Sequence, residues 1–243
     1  MPITATMDDP MTPPPASKIS ASLTDTLTRI SADLEAEQTL KESIKESLQP
    51  LDSLSRSVTA LINRVHSTPA DQLETLAQQT IDQVKATSLN WQVVADKIPK
   101  GEYHRYAYQP SFILKPLVTA ITLAHFLLHD DLLPLPLAAE IIGIKQEWAD
   151  RLQLSPDDYL QGVIGASNEL ARLAMNAVTL RNFSLPLRIA AFEKDLFAGF
   201  SLLNLRNDTL RRRFDSLKYD VKRCEDVVYD ITLRNLAPPA MGE

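Results

Sequence analysis

Glycine is scarce in this chain: there are six among 243 residues, and no stretch alternates β-branched residues between glycine turns. That shortage argues against a dinucleotide fold, a phosphate loop or an all-β architecture. The G-x-S-x-G, Walker A and C-x-x-C patterns are missing as well. Cys224 is the single cysteine, so no internal disulfide can form, which fits a reducing compartment. No unbroken apolar run reaches the ~18 residues that a spanning helix needs, so no transmembrane helix and no membrane partner are expected. The N-terminus lacks a basic start followed by an apolar stretch, so no secretion signal is expected. Positive charge is also in deficit: 25 Lys and Arg face 31 Asp and Glu, a net charge of −6. Nucleic-acid binders ordinarily carry a basic footprint. Any such function here has to come from a local patch or a surface shared between subunits.

What remains is helix-forming composition, with Leu, Ala, Glu, Gln, Lys and Arg dominant. Residues 1–17 contain Pro2, Pro10, Pro13, Pro14 and Pro15 with little apolar content, so a disordered tail is expected there. A flexible tail is expected over 237–243. A single all-α domain is expected over 18–236.

Seven helices can be read between those tails. The first carries Leu23, Leu27, Ile30, Leu34, Ile44, Leu48, Leu51, Val58, Ile62 and Val65 at spacings of three, four or their multiples. Glu37, Lys41 and Ser55 fill the skipped places. Pro50 should kink or break this helix near residues 46–49, since it removes a backbone donor and crowds the preceding turn. A second helix opens at Thr68-Pro69 and ends at Pro99-Lys100-Gly101. A third runs from Arg105 or Pro110 to Leu128 and is distorted at Pro116. A short fourth covers Leu137–Ile144. Ser155-Pro156-Asp157-Asp158 starts a fifth, with a cap, a proline and two acids in the first turn. Pro186 starts the sixth, and Asn207 or Asp208 caps the last. The seams of the last two helices fit a monomer core or an oligomer interface equally.

Few motifs carry chemistry. His125 and His129 stand four apart on one helix face, a spacing that zinc sites use. The intervening Glu of H-E-x-x-H is replaced by Phe126 and no third ligand is obvious, so packed histidines are the plainer reading and no metal site is assigned. Cys224 has no nucleophile signature around it. Arg211, Arg212, Arg213, Lys218, Lys222 and Arg223 form a basic cluster that could meet phosphates. Asp208, Asp215, Asp220, Glu225 and Asp226 interleave with it, as on a salt-bridged face. Tyr103, His104, Arg105, Tyr106, Tyr108 and Gln109 mix aromatics with cations. They could stack bases and neutralise phosphates, or pack as a helix entry.

One resemblance ties these pieces together. Asp220-Val221-Lys222-Arg223 through Glu225-Asp226-Val227-Val228-Tyr229-Asp230 is similar to the last helix of the translin family. Asp158-Tyr159-Leu160, Ser167-Asn168-Glu169-Leu170, Asn176-Ala177-Val178-Thr179, Pro186-Leu187-Arg188-Ile189, Gly199-Phe200 and Asn204-Leu205 resemble that family too. So do Tyr103-x-Arg105-Tyr106 and Ile142-Gly143-Ile144, over about residues 20–236. The resemblance implies a seven-helix protomer in a hollow octameric barrel, cytoplasmic and nuclear. It implies a single-stranded RNA- or DNA-binding protein acting in small-RNA and tRNA processing. Its partners would be further copies of itself and a catalytic paralogue, translin-associated factor X.

The resemblance also bears on catalysis. The catalytic paralogue carries two glutamates three apart on the third helix, and an Asp and a Glu four apart on the central one. Those spacings can gather carboxylates around Mg²⁺. Laid on this chain they fall at Pro116, Thr119, Gly165 and Glu169. Only Glu169 is a carboxylate, so the chain resembles the non-catalytic subunit, with Mg²⁺ expected in the partner alone. Two alternatives stand beside this: a weakly active Mg²⁺-dependent ribonuclease through Glu169, and a structural scaffold without its own RNA affinity. The family's nucleic-acid segment falls on Arg105 to Gln109, where Ala107, Gln109 and Ser111 replace basic or histidine positions. A second basic patch falls after Pro69, where Lys85 is the lone cation. The family's interface stretch maps to Leu196, Leu203, Leu210 and Leu217.

Overall fold

The structure is a computed structural model that describes residues 18–86, 89–205 and 209–236. Among them are nine α-helices and no strand: α1 Lys18–Ile62, α2 Leu73–Lys85, α3 Leu89–Lys97, α4 Tyr103–Tyr106, α5 Tyr108–His129, α6 Leu135–Ile142, α7 Pro156–Thr179, α8 Ser184–Ser201 and α9 Thr209–Leu233. The all-α fold class stands as expected, with two more helices than the seven read from the pattern. The second expected helix is two, α2 and α3, and a single turn, α4, precedes α5. The expected tails at 1–17 and 237–243, and the caps Asn207 and Asp208, lie outside the described residues.

By their contacts the described residues form two units, divided between residues 42 and 43. In the first unit the seam residues Leu23, Leu27, Ile30 and Leu34 are all exposed. In the second, Ile44, Leu48, Leu51, Val58, Ile62 and Val65 keep the same register and are buried.

Pro50 neither breaks nor ends α1, and α5 likewise runs through Pro116. Burial explains the tolerance. Leu48 and Leu51 flank Pro50 in the core, as Leu114 and Leu117 flank Pro116. Burying each such side chain contributes about 1.5–3 kcal/mol, against ~3 kcal/mol for an interior proline. Lys97 adds a tie by donating to the Ser43 carbonyl at 2.8 Å.

α5 and α7 form the centre of the second unit. Of α5, Leu117, Val118, Ile121, Leu123, Ala124 and Phe126 are essentially inaccessible. By length and composition α5 could cross a membrane, with a mean hydropathy of 1.7 over its most apolar 18 residues. Lys115 inside the helix interrupts the apolar run in the sequence, and most of that apolar window is buried in the protein itself. The two helices approach closely because α7 presents Gly162 and Gly165, three apart on one face. A Cβ at Gly162 would lie 2.5 Å from Val118 Cβ, and one at Gly165 2.4 Å from Thr119 Oγ1. Thr119 Oγ donates to the Gly162 carbonyl at 3.0 Å across this contact.

The start of α7 follows its sequence. Ser155 Oγ accepts from the Asp158 amide at 3.0 Å, Pro156 occupies the first turn, and Asp157 and Asp158 face the positive end of the helix. Ser155 Oγ–H in turn donates to Asp158 Oδ2 at 2.9 Å. Ser111 of α5 donates to the other oxygen of Asp158, and Lys115 lies 3.5 Å from it. The buried Asp158 therefore fixes α5 to the head of α7.

Candidate nucleic-acid interface

The Tyr103–Gln109 segment divides by burial. Tyr103 and Tyr106 are core residues, 8% and 5% exposed. The Asp150 carbonyl holds the entry to α4 by accepting from the Gly101 and Tyr103 amides at 3.1 and 3.3 Å. Burial pushes the Tyr103 phenol above its ordinary pKa. Both tyrosines are anchors and are not available to stack a base. His104, Arg105 and Tyr108 face solvent, and Gln109 is half-buried.

The anchors aim an aromatic pair outward. Tyr108 is 74% exposed and Phe112, one turn on, is 60% exposed. Their rings meet edge to face, 4.7 Å apart at 88°. Arg105 lies over the Tyr106 ring at 6.0 Å and 3.8 Å from Glu102. Two open aromatic rings beside exposed cations are what a strand-binding surface needs, since stacking holds bases and cations hold phosphates. Phe112 was missed at this surface because in the sequence it reads as part of α5's apolar stripe. Its position four residues after Tyr108 was the signal that could have found it.

Further along the same helix lies a cavity of about 300 Å³ between α1, α5, α7 and α9. Lys115, Pro116, Thr119, Gln161, Glu169 and Arg213 are among its lining. Pro116, Thr119 and Glu169 thus meet as their spacing suggests, and Gly165 packs against Thr119. Glu169 is not a free carboxylate. Its Oε2 is 2.8 Å from His66 Nε2 and 3.4 Å from Arg172. Asn176 Nδ2 lies 3.1 Å from His66 Nδ1, which makes Nδ1 the acceptor and Nε2 the donor to Glu169. Arg213 donates to Gln161 Oε1 at 2.7 Å. One carboxylate already engaged, beside two cations, does not suit a divalent metal.

The remaining expectations fall elsewhere. Leu196, Leu210 and Leu217 are buried in the protomer's own core, while Leu203 is 41% exposed. α8 ends at Ser201 and α9 starts at Thr209, so the seven-residue spacing does not trace one exposed helical stripe. Leu196 and Leu203 line an apolar groove of about 510 Å³ with Phe192 and Phe200. Two of the six cations in the basic cluster are ion-paired: Arg211 with Asp215 at 3.3 Å and Arg223 with Asp220 at 3.2 Å. Burial pushes the Cys224 thiol up to about 12, so it stays protonated and inert. The rings of His125 and His129 meet at a tilt of 49° with centres 4.5 Å apart. Among the described residues no group of three His, Cys, Asp or Glu could hold a metal.

A sequence profile described as Translin family matches residues 39–235. The chain belongs to the Translin family. It is 37% identical to Translin of Gallus gallus over 210 residues, 86% of this chain and 92% of that one. With Translin of Homo sapiens it shares 33% over 214 residues, 88% and 94% of the two chains. With Translin-associated protein X of Mus musculus the identity is 24% over 221 residues, 80% and 75% of the two. The chain therefore sides with the Translin branch.

Solved structures share the fold at low identity. The crystal structure of apo-NeC3PO superposes with a TM-score of 0.56 and 14% identity, covering 84% of this chain and 95% of that one. The structure of an AfC3PO–duplex RNA complex gives 0.55 and 18%, covering 88% and 100%.

Proposed function

We propose that this Translin-family chain is a single-stranded RNA- or DNA-binding subunit that is non-catalytic by itself. In this reading it assembles with further copies in an octamer, or with a paralogue resembling Translin-associated protein X, into a complex whose partner supplies Mg²⁺-dependent RNA cleavage. The observation that carries it is the open Tyr108–Phe112 ring pair beside His104 and Arg105. Those rings are largely exposed, and every base offers a face to stack on. That an AfC3PO relative was solved with duplex RNA supports a nucleic-acid role.

The cavity supports the non-catalytic half. Pro116, Thr119 and Gly165 offer no carboxylate, and Glu169 is held by His66 and Arg172. Cytoplasmic and nuclear RNA processing is the setting this reading proposes.

Its test uses the purified full chain with end-labelled single-stranded RNA and Mg²⁺, run on matched native and denaturing gels. A shifted, intact RNA, weakened by Arg105→Ala, is expected. RNA that is cut, with cutting abolished by Glu169→Ala, would instead make the chain a nuclease. RNA neither shifted nor cut would make it a scaffold.

A further inference from the structure

Arg213 poses a problem of charge. Its side chain is half-buried, and it donates to a neutral amide, Gln161 Oε1, at 2.7 Å. Among the described residues no carboxylate pairs with it. Removing a guanidinium from water without an anion is unfavourable, and burial does lower its pKa. Lys115 lines the same cavity. Its ammonium touches Asp158 at 3.5 Å, a partner already taken by Ser111 and Ser155. Asp158 and Gln161 are three apart on α7, neighbours on one helix face. Lys115 and Arg213 are therefore anchored about one helical turn from each other, at the edge of one cavity. Thr59, Asn63 and Thr119 supply further polar groups to it.

The placement along α5 matters as much. Tyr108, Phe112, Lys115 and Thr119 follow at i, i+4, i+7 and i+11, a single stripe about 16 Å long. The stripe begins with the open ring pair and ends in the cavity.

We infer that the cavity between α5, α7 and α9 is a phosphate-binding pocket, with Lys115 and Arg213 as its cationic jaws. Resting on the reading above, its ligand is a phosphodiester of the strand whose bases stack on Tyr108 and Phe112. An Arg fork and a Lys point charge are the pair of groups that phosphate recognition uses. The one carboxylate in the cavity, Glu169, opposes the anion; His66 holds it by a hydrogen bond and Arg172 offsets its charge.

The full chain with Lys115→Gln, Arg213→Gln or Glu169→Gln tests this. RNA affinity is measured by fluorescence anisotropy across a chloride series, and thermal midpoints are recorded in inorganic phosphate against chloride at matched ionic strength. The first two substitutions are each expected to flatten the slope of log affinity against log salt, by about 0.7 between them, one phosphate contact on a single strand. Both should also abolish the rise in midpoint with phosphate. Glu169→Gln should tighten RNA binding, whereas a metal site at Glu169 would lose it. If Arg213→Gln fails to fold by circular dichroism, Lys115→Gln decides. Wild-type slopes in folded variants overturn the pocket while leaving the aromatic surface standing. Should the wild type bind no RNA, a phosphate response that depends on Lys115 and Arg213 upholds the pocket and sinks the functional reading. Absence of both overturns the two together.

Discussion

Two positions, one buried and one half-buried, show how single residues shape this molecule. Glu193 on α8 is fully inaccessible, accepts a hydrogen bond from Ser167, and has one oxygen, Oε1, without a partner among the described residues. Burial raises its pKa from 4.5 to about 8, the Ser167 bond opposes the rise, and nearby Asp220 adds to it. Folding thus raises the pKa, and the folded chain keeps a proton that the unfolded chain releases. Stability from this group is full below about 4.5 and declines as pH climbs to about 8, beyond which it is level. Glu193→Gln should flatten the fall of the thermal midpoint across that window. A wild-type pH profile in the variant would show that Glu193 does not titrate there.

Gly165 is the second such position. Gly165→Ala drives a methyl to within 2.4 Å of Thr119 Oγ1 and should destabilise by about 1–3 kcal/mol in urea unfolding. Adding Thr119→Ala removes the clashing hydroxyl, leaving Thr119 Cβ at an ordinary 3.4 Å, so the pair should recover most of the loss. Purely additive losses would disprove this contact. The sequence showed that Gly165 and Thr119 replace carboxylates but not that they touch, because helix spacing orders residues along one face and says nothing of what faces them.

At the scale of elements, α5 carries both the core and the candidate surface. Tyr108→Ala and Phe112→Ala should each weaken single-stranded RNA binding by about 1–3 kcal/mol, the worth of one stacked base. Neither removes a cation, so the salt slope should stay at its wild-type value. A variant that altered the slope and kept the affinity at low salt would assign the rings another role. Legibility followed burial here. The boundaries of α7 were plain because Ser155, Pro156 and the two acids act locally. The passage of α1 through Pro50 was not, since the leucines on either side offset the proline only once other helices cover them. Tyr103 and Tyr106 misled for the same reason: alternation of aromatics and cations looked like a surface, and tertiary packing took half of it inside. The expected interface leucines do not share one helix, because their regular seven-residue spacing runs across the end of α8 and the start of α9.

For the whole molecule the balance of charge sets the terms. At a net −6 the chain repels a polyanion on average, so binding has to be local and steeply dependent on salt. Assembly is the other whole-molecule property. Leu27 and Leu34 of α1 are 57% and 61% exposed. They continue a register of alternating three- and four-residue steps that two helices can share by interlocking their side chains. Isolated exposed apolar residues are ordinary, but Leu23, Leu27, Ile30 and Leu34 in one register on one face form a surface that water disfavours. Among the positions flanking the seam, Thr24, Thr26, Ser31 and Gln38 are uncharged and Asp33 is the one charge, so little there repels a second copy. Leu27→Ser with Leu34→Ser should therefore lower the mass of the assembly in sedimentation equilibrium. The helical signal should stay at its wild-type level, because neither residue belongs to the protomer core. If the mass is unchanged while the double variant remains folded, association of copies uses another face, and the exposed Leu202 and Leu203 after α8 become the residues to change next.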